Sequence, residues 1–433
     1  MPSKNGSFRN AVFIDGGRIP FLKSGTDYKH LTAYDLARMA LQSLLAKTQL
    51  DPRKVDWVIM GRVVGNLSNS NVARDAALAA GIPNHVPAVT VTLACVSANK
   101  AITDAINLIQ TGQADVVIAG GTESLTDIPI QFRKKFRQKL IESQRYRKPL
   151  DWFNFVKGLR FNDFLPEIPA IAEFTTGRSM GQDCDRMAAR LGVTREEQDQ
   201  FAVRSHLNAA KATADGSLKT EIFPAAVPPK FSVVEQDNGV RGDTTLEKLA
   251  KLRPAFVKPY GTLTAGNSSF LTDGASAVLI MSEEAAKSMG FQPKAIFKGY
   301  AYSAQDPGEE LLLGPAYASP KVLDKTGLSL KNIDVFEFHE AFAAQMVANL
   351  KCFNSDQFAK EKLGRDKKIG EVPEDKLNNW GGSLSIGHPF GATGGRLVTT
   401  AVNRLIKEDG QFALVAACAA GAVGNAMILE RYA

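Results

Sequence analysis

An internal repeat constrains this chain more than any other feature. Residues 44–61 (LLAKTQLDPRKVDWVIMG) align with 322–339 (VLDKTGLSLKNIDVFEFH) at a constant offset of 278. Leu45 matches Leu323, Thr48 matches Thr326, Leu50 matches Leu328, Val55 matches Ile333 and Asp56 matches Asp334. Each copy reads as a helix end, a turn and a buried strand. A second match joins 112–123 (GQADVVIAGGTE) to 410–421 (GQFALVAACAAG) at an offset of 298, so the second half carries an insertion, placed around 351–380. Strands alternating with helical segments, twice over, predict an α/β fold of two related halves. Duplication sets a pseudo-twofold axis between the halves, where a shared site can form. Residues 125–261 follow neither copy; they are helix-rich and strand-poor and read as an insertion. The expected division is 1–124, rejoined by 262–287, then 125–261 as the insertion domain, and 288–433 as the second half.

A chain of 433 residues exceeds one simple core. No apolar run reaches the roughly 18 residues of a membrane span, and MPSKNGSFRN lacks the apolar stretch of a secretory signal. Cys95, Cys184, Cys352 and Cys418 form no CxxC pair, which argues against a structural zinc or redox motif and for free thiols in a reducing compartment. Net charge is +7, yet residues 131–160 alone hold ten Lys/Arg against two acids, so the rest is near neutral. That segment interleaves Phe132, Phe136, Tyr146, Trp152, Phe153 and Phe155. Charge mixed with aromatics suits single-stranded nucleic acid, but no nucleic-acid-binding signature surrounds it. It reads as a solvated helix face, or as a surface for an anionic membrane or a protein partner.

Four stretches carry chemistry. Cys95 follows the alternating run AVTVTLA and precedes VSANKAITDAINLIQ, whose period is helical, so it is expected at a strand-to-helix turn. N–H groups at a helix N-terminus lower a thiol's pKa and stabilise an oxyanion. A buried small hydrophobe is the bland alternative. GGSLSIGHPFGATGGR (381–396) sets His388 in a loop with six glycines. Such density is tolerated where backbone passes close to a ligand or to another segment, and histidine is the natural base for a thiol near neutral pH. FEFHEAFAAQ (336–345) puts His339 at a strand–helix junction; metal binding by His339 and Glu340 lacks a third ligand at a recognisable spacing. VAACAAGAVG (415–424) ends a strand on Cys418, a second thiol able to return the proton that a first step removes.

In this order, TLACVSANKA, HEAFAAQ, GGSLSIGHPFGATGGR and CAAGAVG resemble the thiolases, and TAGNSSFLTDGASA and KLRPAF are similar to thiolase segments as well. The resemblance spans nearly the whole chain, from AVFIDGGRIPF to MILERY. HEAF where many thiolases have NEAF, RSH at 204–206 and the long basic insertion are nearest to the branch of trifunctional-enzyme β-subunits and bacterial fatty-oxidation thiolases. The resemblance implies a layered α-β-α-β-α core with a helical loop domain. It implies cleavage of medium- or long-chain 3-ketoacyl-CoA by CoA in fatty acid β-oxidation, with no metal and no cofactor, CoA being a substrate.

Carried over residue by residue, the family's nucleophile falls on Cys95, its base on His388, its acid on Cys418 and an enolate-oxygen contact on His339. The backbone N–H groups of Cys95 and Ala420 would form a second oxyanion site. Most of the family has glycine where Ala420 stands, and alanine at Ala422 is a further departure, which bears on the turn and not on the chemistry. Ser269 is implied in CoA binding and Met180 in lining the acyl path. The resemblance also implies a homodimer, a hydratase/dehydrogenase α-subunit as partner and no nucleic acid. The location implied is the mitochondrial matrix against the inner membrane in a eukaryote, or the cytoplasm in a bacterium. An acetoacetyl-CoA thiolase would share the chemistry with a shorter acyl pocket. A ketoacyl-synthase-type condensing enzyme uses one cysteine and two histidines, and Cys418 argues against it. A non-catalytic membrane-docking subunit would not need Cys95.

Overall fold

The computed structural model describes residues 8–167 and 172–432, so the first residues of MPSKNGSFRN lie outside it. Nine strands follow one path through the main sheet: β1 (Ala11–Arg18), β2 (Trp57–Gly61), β3 (Ala88–Val91), β4 (Val116–Glu123), β5 (Thr272–Ser282), β6 (Ala295–Ala304), β7 (Val335–Phe338), β8 (Phe412–Ala419) and β9 (Val423–Arg431). Their order is β7-β8-β9-β6-β1-β5-β4-β2-β3. The helices that matter below are α1 (Ala33–Thr48), α2 (Val72–Ala79), α3 (Ser97–Gln110), α4 (Lys134–Ser143), α5 (Pro149–Val156), α6 (Met180–Arg190), α7 (Arg195–Ala214), α8 (Gly314–Thr326), α9 (Ala343–Phe353) and α10 (Thr393–Lys407).

The repeat is visible in the ladders. β2 runs parallel to β4, which pairs antiparallel with β5, which pairs antiparallel with β1. β7, β8, β9 and β6 repeat that series. The aligned aspartates do the same work in both copies. Asp56 Oδ2 accepts the N–H groups of Asp115 (2.8 Å) and Val116 (2.9 Å). Asp334 Oδ2 accepts those of Gln411 (2.8 Å) and Phe412 (3.2 Å). This register pairs Asp115 with Gln411, two residues off the sequence match of 112 with 410. The insertion in the second half is a helix at Asp356–Leu363 with its loops, and the counterpart of β3 is reduced to a single bridge between Phe336 and Leu377.

Three apolar clusters define the layers. One joins α1 and α2 to the outer face of the first half, and one joins α8 and α9 to the outer face of the second. Between them α3 and α10 are buried against both half-sheets. This is the expected α-β-α-β-α stack. The half-sheets also meet edge to edge, through Val12 with Ile296 and Phe13 with Ala295. The two central helices begin next to one another's half, which is how residues from both copies reach one site. α6 and α7 of the 125–261 segment lie over α9, with Cys184, Met187 and Phe201 in the second-half core. α7 starts on a capping box, in which Thr194 and Glu197 satisfy each other's backbone N–H.

Residues 131–167 form a separate small body. α4 and α5 contain no buried residue. Their aromatics pack on each other: Phe136 lies 4.8 Å from Phe164 and 5.1 Å from Phe132, and Trp152 lies 5.8 Å from Tyr146. A two-residue ladder, Gln131–Phe132 against Pro166–Glu167, closes its base. No helix among the described residues is long and apolar enough to cross a membrane.

Candidate functional site

Cys95 stands between β3 and α3, where the sequence places it. Ala94 turns the chain sharply with φ 45°, a left-handed value that side-chain-bearing residues seldom adopt. Ser97 clamps this turn. Its Oγ accepts the Leu93 N–H (2.8 Å) and donates to the Ala94 carbonyl (2.6 Å). Cys95 is left mostly buried at the N-terminal end of α3, and Cys418, His339 and His388 are fully buried.

The glycine-rich loop brings His388 to Cys95 by close backbone approach, as its composition predicts. A Cβ on Gly121 would lie 1.8 Å from the Gly391 carbonyl oxygen, so β4 and the loop touch at a distance only glycine allows. The loop is then tied down from several directions. Thr272 Oγ1 accepts the His388 N–H (3.0 Å), and Glu123 accepts the Gly391 N–H (2.9 Å). His339 is fixed at the end of β7 by its own N–H to the Ala416 carbonyl (2.8 Å). The outcome is one cluster. Cys95 Sγ and a ring nitrogen of each histidine lie within 4.8 Å of one another, and the two rings are 4.0 Å apart.

Hydrogen bonding sets the tautomer of each histidine. Thr393 Oγ1 donates its hydrogen to the Pro389 carbonyl (3.1 Å), so toward His388 Nδ1 (2.6 Å) it accepts. His388 therefore carries its proton on Nδ1 and presents a bare Nε2. His339 is the reverse. Ser383 Oγ accepts from Arg396 (3.2 Å), and among the described residues its own hydrogen has no acceptor other than His339 Nδ1 (3.0 Å), so it donates there. His339 thus carries its proton on Nε2, as a donor. Both Nε2 atoms are buried with no protein partner among the described residues. Burial, then the Arg396 charge, holds His388 down at about 3. Burial, then His388 and Arg396, holds His339 well below its ordinary range. Both are neutral at working pH.

Burial also pushes the Cys95 thiol up to about 11, against the backbone N–H groups of Ala420 and of Cys95 itself, which pull it down. The lowering expected at a helix N-terminus is overturned, because desolvation dominates and the neutral imidazoles supply no offsetting charge. The thiol rests protonated beside a base. The two N–H groups are those expected to serve an oxyanion. Cys418 is the penultimate residue of β8, and its thiol is raised by burial and then by the Cys95 charge.

The remaining expected residues are placed more loosely. Ser269 is half-buried, and its N–H reaches the Ala341 carbonyl (3.0 Å), joining its segment to the His339 loop. Met180 is the first residue of α6 and packs against the second-half core. Glu340 is not a metal ligand: its carboxylate is engaged by Ser205 (2.7 Å), Asn378 (2.7 Å) and the Leu384 N–H (3.2 Å). Sequence reasoning missed Thr393, Ser383 and Glu123. Glu123 accepts the N–H groups of Val63, Val64 and Gly391, and burial raises it to about 7. Its signal was a lone carboxylate closing the apolar run VVIAGGTE.

Comparison with known proteins places the chain in a family. Residues 11–284 match the family model described as "Thiolase, N-terminal domain" and 291–431 match "Thiolase, C-terminal domain". The human protein named "Trifunctional enzyme subunit beta, mitochondrial" is 53% identical over 426 residues, covering 98% of this chain and 89% of that protein. The "3-ketoacyl-CoA thiolase" of Serratia proteamaculans is 43% identical over 419 residues, 97% of this chain and 96% of that one. The crystal structure of human mitochondrial 3-ketoacyl-CoA thiolase superposes with a TM-score of 0.83 at 32% identity, covering 98% of this chain and 99% of that one.

Proposed function

The chain belongs to the thiolase family of acyltransferases, and from that premise we propose that it cleaves 3-ketoacyl-CoA of medium or long chain with CoA, in fatty acid β-oxidation. The observation that carries this reading is the convergence on Cys95 Sγ of a bare imidazole nitrogen, an imidazole N–H and two backbone N–H groups, beside a second buried thiol. His388 Nε2 takes the Cys95 proton. The thiolate attacks the 3-keto carbon, and the two N–H groups of Cys95 and Ala420 receive the oxyanion. The Cα–Cβ bond breaks, leaving an acyl thioester on Cys95 and the enolate of acetyl-CoA. His339 Nε2–H, with His388 now protonated, receives the enolate oxygen. Cys418 protonates the enolate carbon, then takes the proton of incoming CoA, which releases the shortened acyl-CoA. Cys418 as acid is supported by its raised thiol, which holds its proton until a carbanion forms nearby. Ser269 is assigned to CoA and Met180 to the acyl path.

We propose further that the protein is a homodimer and pairs with a hydratase/dehydrogenase α-subunit, as the family resemblance implies; a partner subunit is supported by the human relative's name, which is that of a subunit beta. The site would then lie in the mitochondrial matrix in a eukaryote, or in the cytoplasm of a bacterium. Residues 131–160 are assigned to an anionic membrane surface. Their support is the +8 charge with Trp152 and Phe153 more than half exposed.

Intact mass after mixing with 3-ketohexadecanoyl-CoA, without free CoA, tests the activity. A tetradecanoyl adduct on Cys95, absent in Cys95→Ser, is expected. An acetyl adduct from acetoacetyl-CoA alone would move the assignment to a short-chain thiolase, and no adduct from either would overturn it.

A further inference from the structure

In sequence, His339 has no third metal ligand at a useful spacing. Folding supplies two, and neither is Glu340. The Cys95 sulfur and a nitrogen of His339 and of His388 lie within 4.8 Å of one another. Tetrahedral Zn²⁺, with bonds of about 2.3 Å to sulfur and 2.0–2.1 Å to nitrogen, needs ligand separations of roughly 3.3–3.6 Å. Inward rotation of the side chains by about an ångström reaches that spacing. A second observation points the same way. His339 is 0% and His388 3% exposed, and the Nε2 of each has no protein partner among the described residues. A third is that His388 donates its opposite N–H to Thr393 Oγ1 (2.6 Å), the outer-shell support that orients an imidazole on a metal.

We propose that Cys95, His339 and His388 form a reversible site for a thiophilic divalent cation, Zn²⁺ above Mg²⁺ or Ca²⁺, and that the bound ion silences the nucleophile. One thiolate and two imidazoles select for such ions, whereas Mg²⁺ and Ca²⁺ take oxygen. On binding, the Cys95 S–H bond breaks and its proton leaves to water. One Zn–S and two Zn–N bonds form, and a water oxygen takes the fourth position; nothing is oxidised or reduced. His388 presents its lone pair as it stands. His339 must move its proton from Nε2 to Nδ1, which leaves the Ser383 hydroxyl hydrogen without its acceptor. That cost makes the ion a displaceable inhibitor and not a resident cofactor. Thiolases with asparagine at this position lack the second imidazole, so the site belongs to the HEAF branch.

Titration of the full-length, chelator-stripped protein with Zn²⁺, and with Co²⁺ as the spectroscopic probe, tests this without reference to turnover. One Zn²⁺ per chain is expected. Cys95→Ser and His339→Asn should each weaken binding beyond the 10–100-fold that outer-shell changes cost. Co²⁺ should give a sulfur-to-metal charge-transfer band that is absent in Cys95→Ser. Unchanged stoichiometry and affinity in Cys95→Ser, or a Co²⁺ spectrum of oxygen ligands alone, would overturn the proposal. Should either variant melt abnormally, alkylation of Cys95 in the parent decides. Zn²⁺ should slow its reaction with iodoacetamide about tenfold and Mg²⁺ should not; equal rates with and without Zn²⁺ sink the site.

Discussion

Thr393 decides which nitrogen of His388 faces the thiol. Removing its hydroxyl leaves the imidazole free to turn or to shift its proton to Nε2, where it could no longer act as a base. Thr393→Val should lower kcat by about 10², within the 10²–10⁴ that general bases contribute, while KM for 3-ketoacyl-CoA stays near the parent value. Unchanged kcat in steady-state assays would show that Thr393 does not set the tautomer. Glu123 carries a different prediction. Its folded pKa of about 7 stands above the ordinary 4.5. The stability it contributes is therefore full below about 4.5 and is lost as pH rises through 7. Glu123→Gln lacks this titration, so the parent should lose stability relative to the variant between pH 4.5 and 8 in urea melts. A difference independent of pH would refute the assignment. At this scale Cys95 and His339 were legible from strand–turn–helix patterns, His388 from its glycine-rich loop before a helix, and Cys418 from the end of an apolar strand. Thr393 and Ser383 were not, since their roles are set by which hydroxyl finds another acceptor. Glu123 meets Gly391 across 268 positions, which no window along the chain can show.

Elements carry the duplication. The two halves were readable because buried strands and amphipathic helices leave opposite periodicities, and those recur with Asp56 and Asp334 in register. The edge pairing of β1 with β6 was not readable, because ladder partners leave no mark in a single strand's pattern. The loss of a β3 counterpart was hidden for the same reason. Asp56→Ala and Asp334→Ala each remove an acceptor from two N–H groups and should each cost about 1–3 kcal/mol. The sites share no partners, so the double variant should be additive within about 0.5 kcal/mol in urea titration. Strong non-additivity would mean that the halves do not carry these turns independently. The contact of β4 with the glycine loop is more exacting. Gly121→Ala sets a methyl against the Gly391 carbonyl and must part the two segments. With misplacement of about 1 Å costing on the order of 10² in rate, kcat should fall by that factor, along with Tm. Parental kcat would show that His388 is positioned by its other ties alone.

Across the whole molecule, charge and stability reside in different places. The five-layer body is close to neutral, and the excess positive charge sits on a helical hairpin whose aromatic contacts are with itself. With no buried residue in α4 or α5, that hairpin contributes little to the common core. The ladder between Phe132 and Pro166 leaves the two ends of the segment adjacent, so a short linker can join them. Replacing 133–165 by a Gly/Ser linker should therefore keep Tm within about 2 °C, since a loss of 1 kcal/mol already moves Tm by roughly that much in a large domain. Cleavage of a short, soluble 3-ketoacyl-CoA should persist, because no residue of the Cys95 site lies in the segment. The proposed binding to anionic vesicles, measured by co-sedimentation at low salt, is expected of the parent and should be absent once these charges are removed. A large fall in Tm would make the hairpin part of the folding core. Retained sedimentation, or none by the parent, would refute the assignment of this segment to a membrane surface.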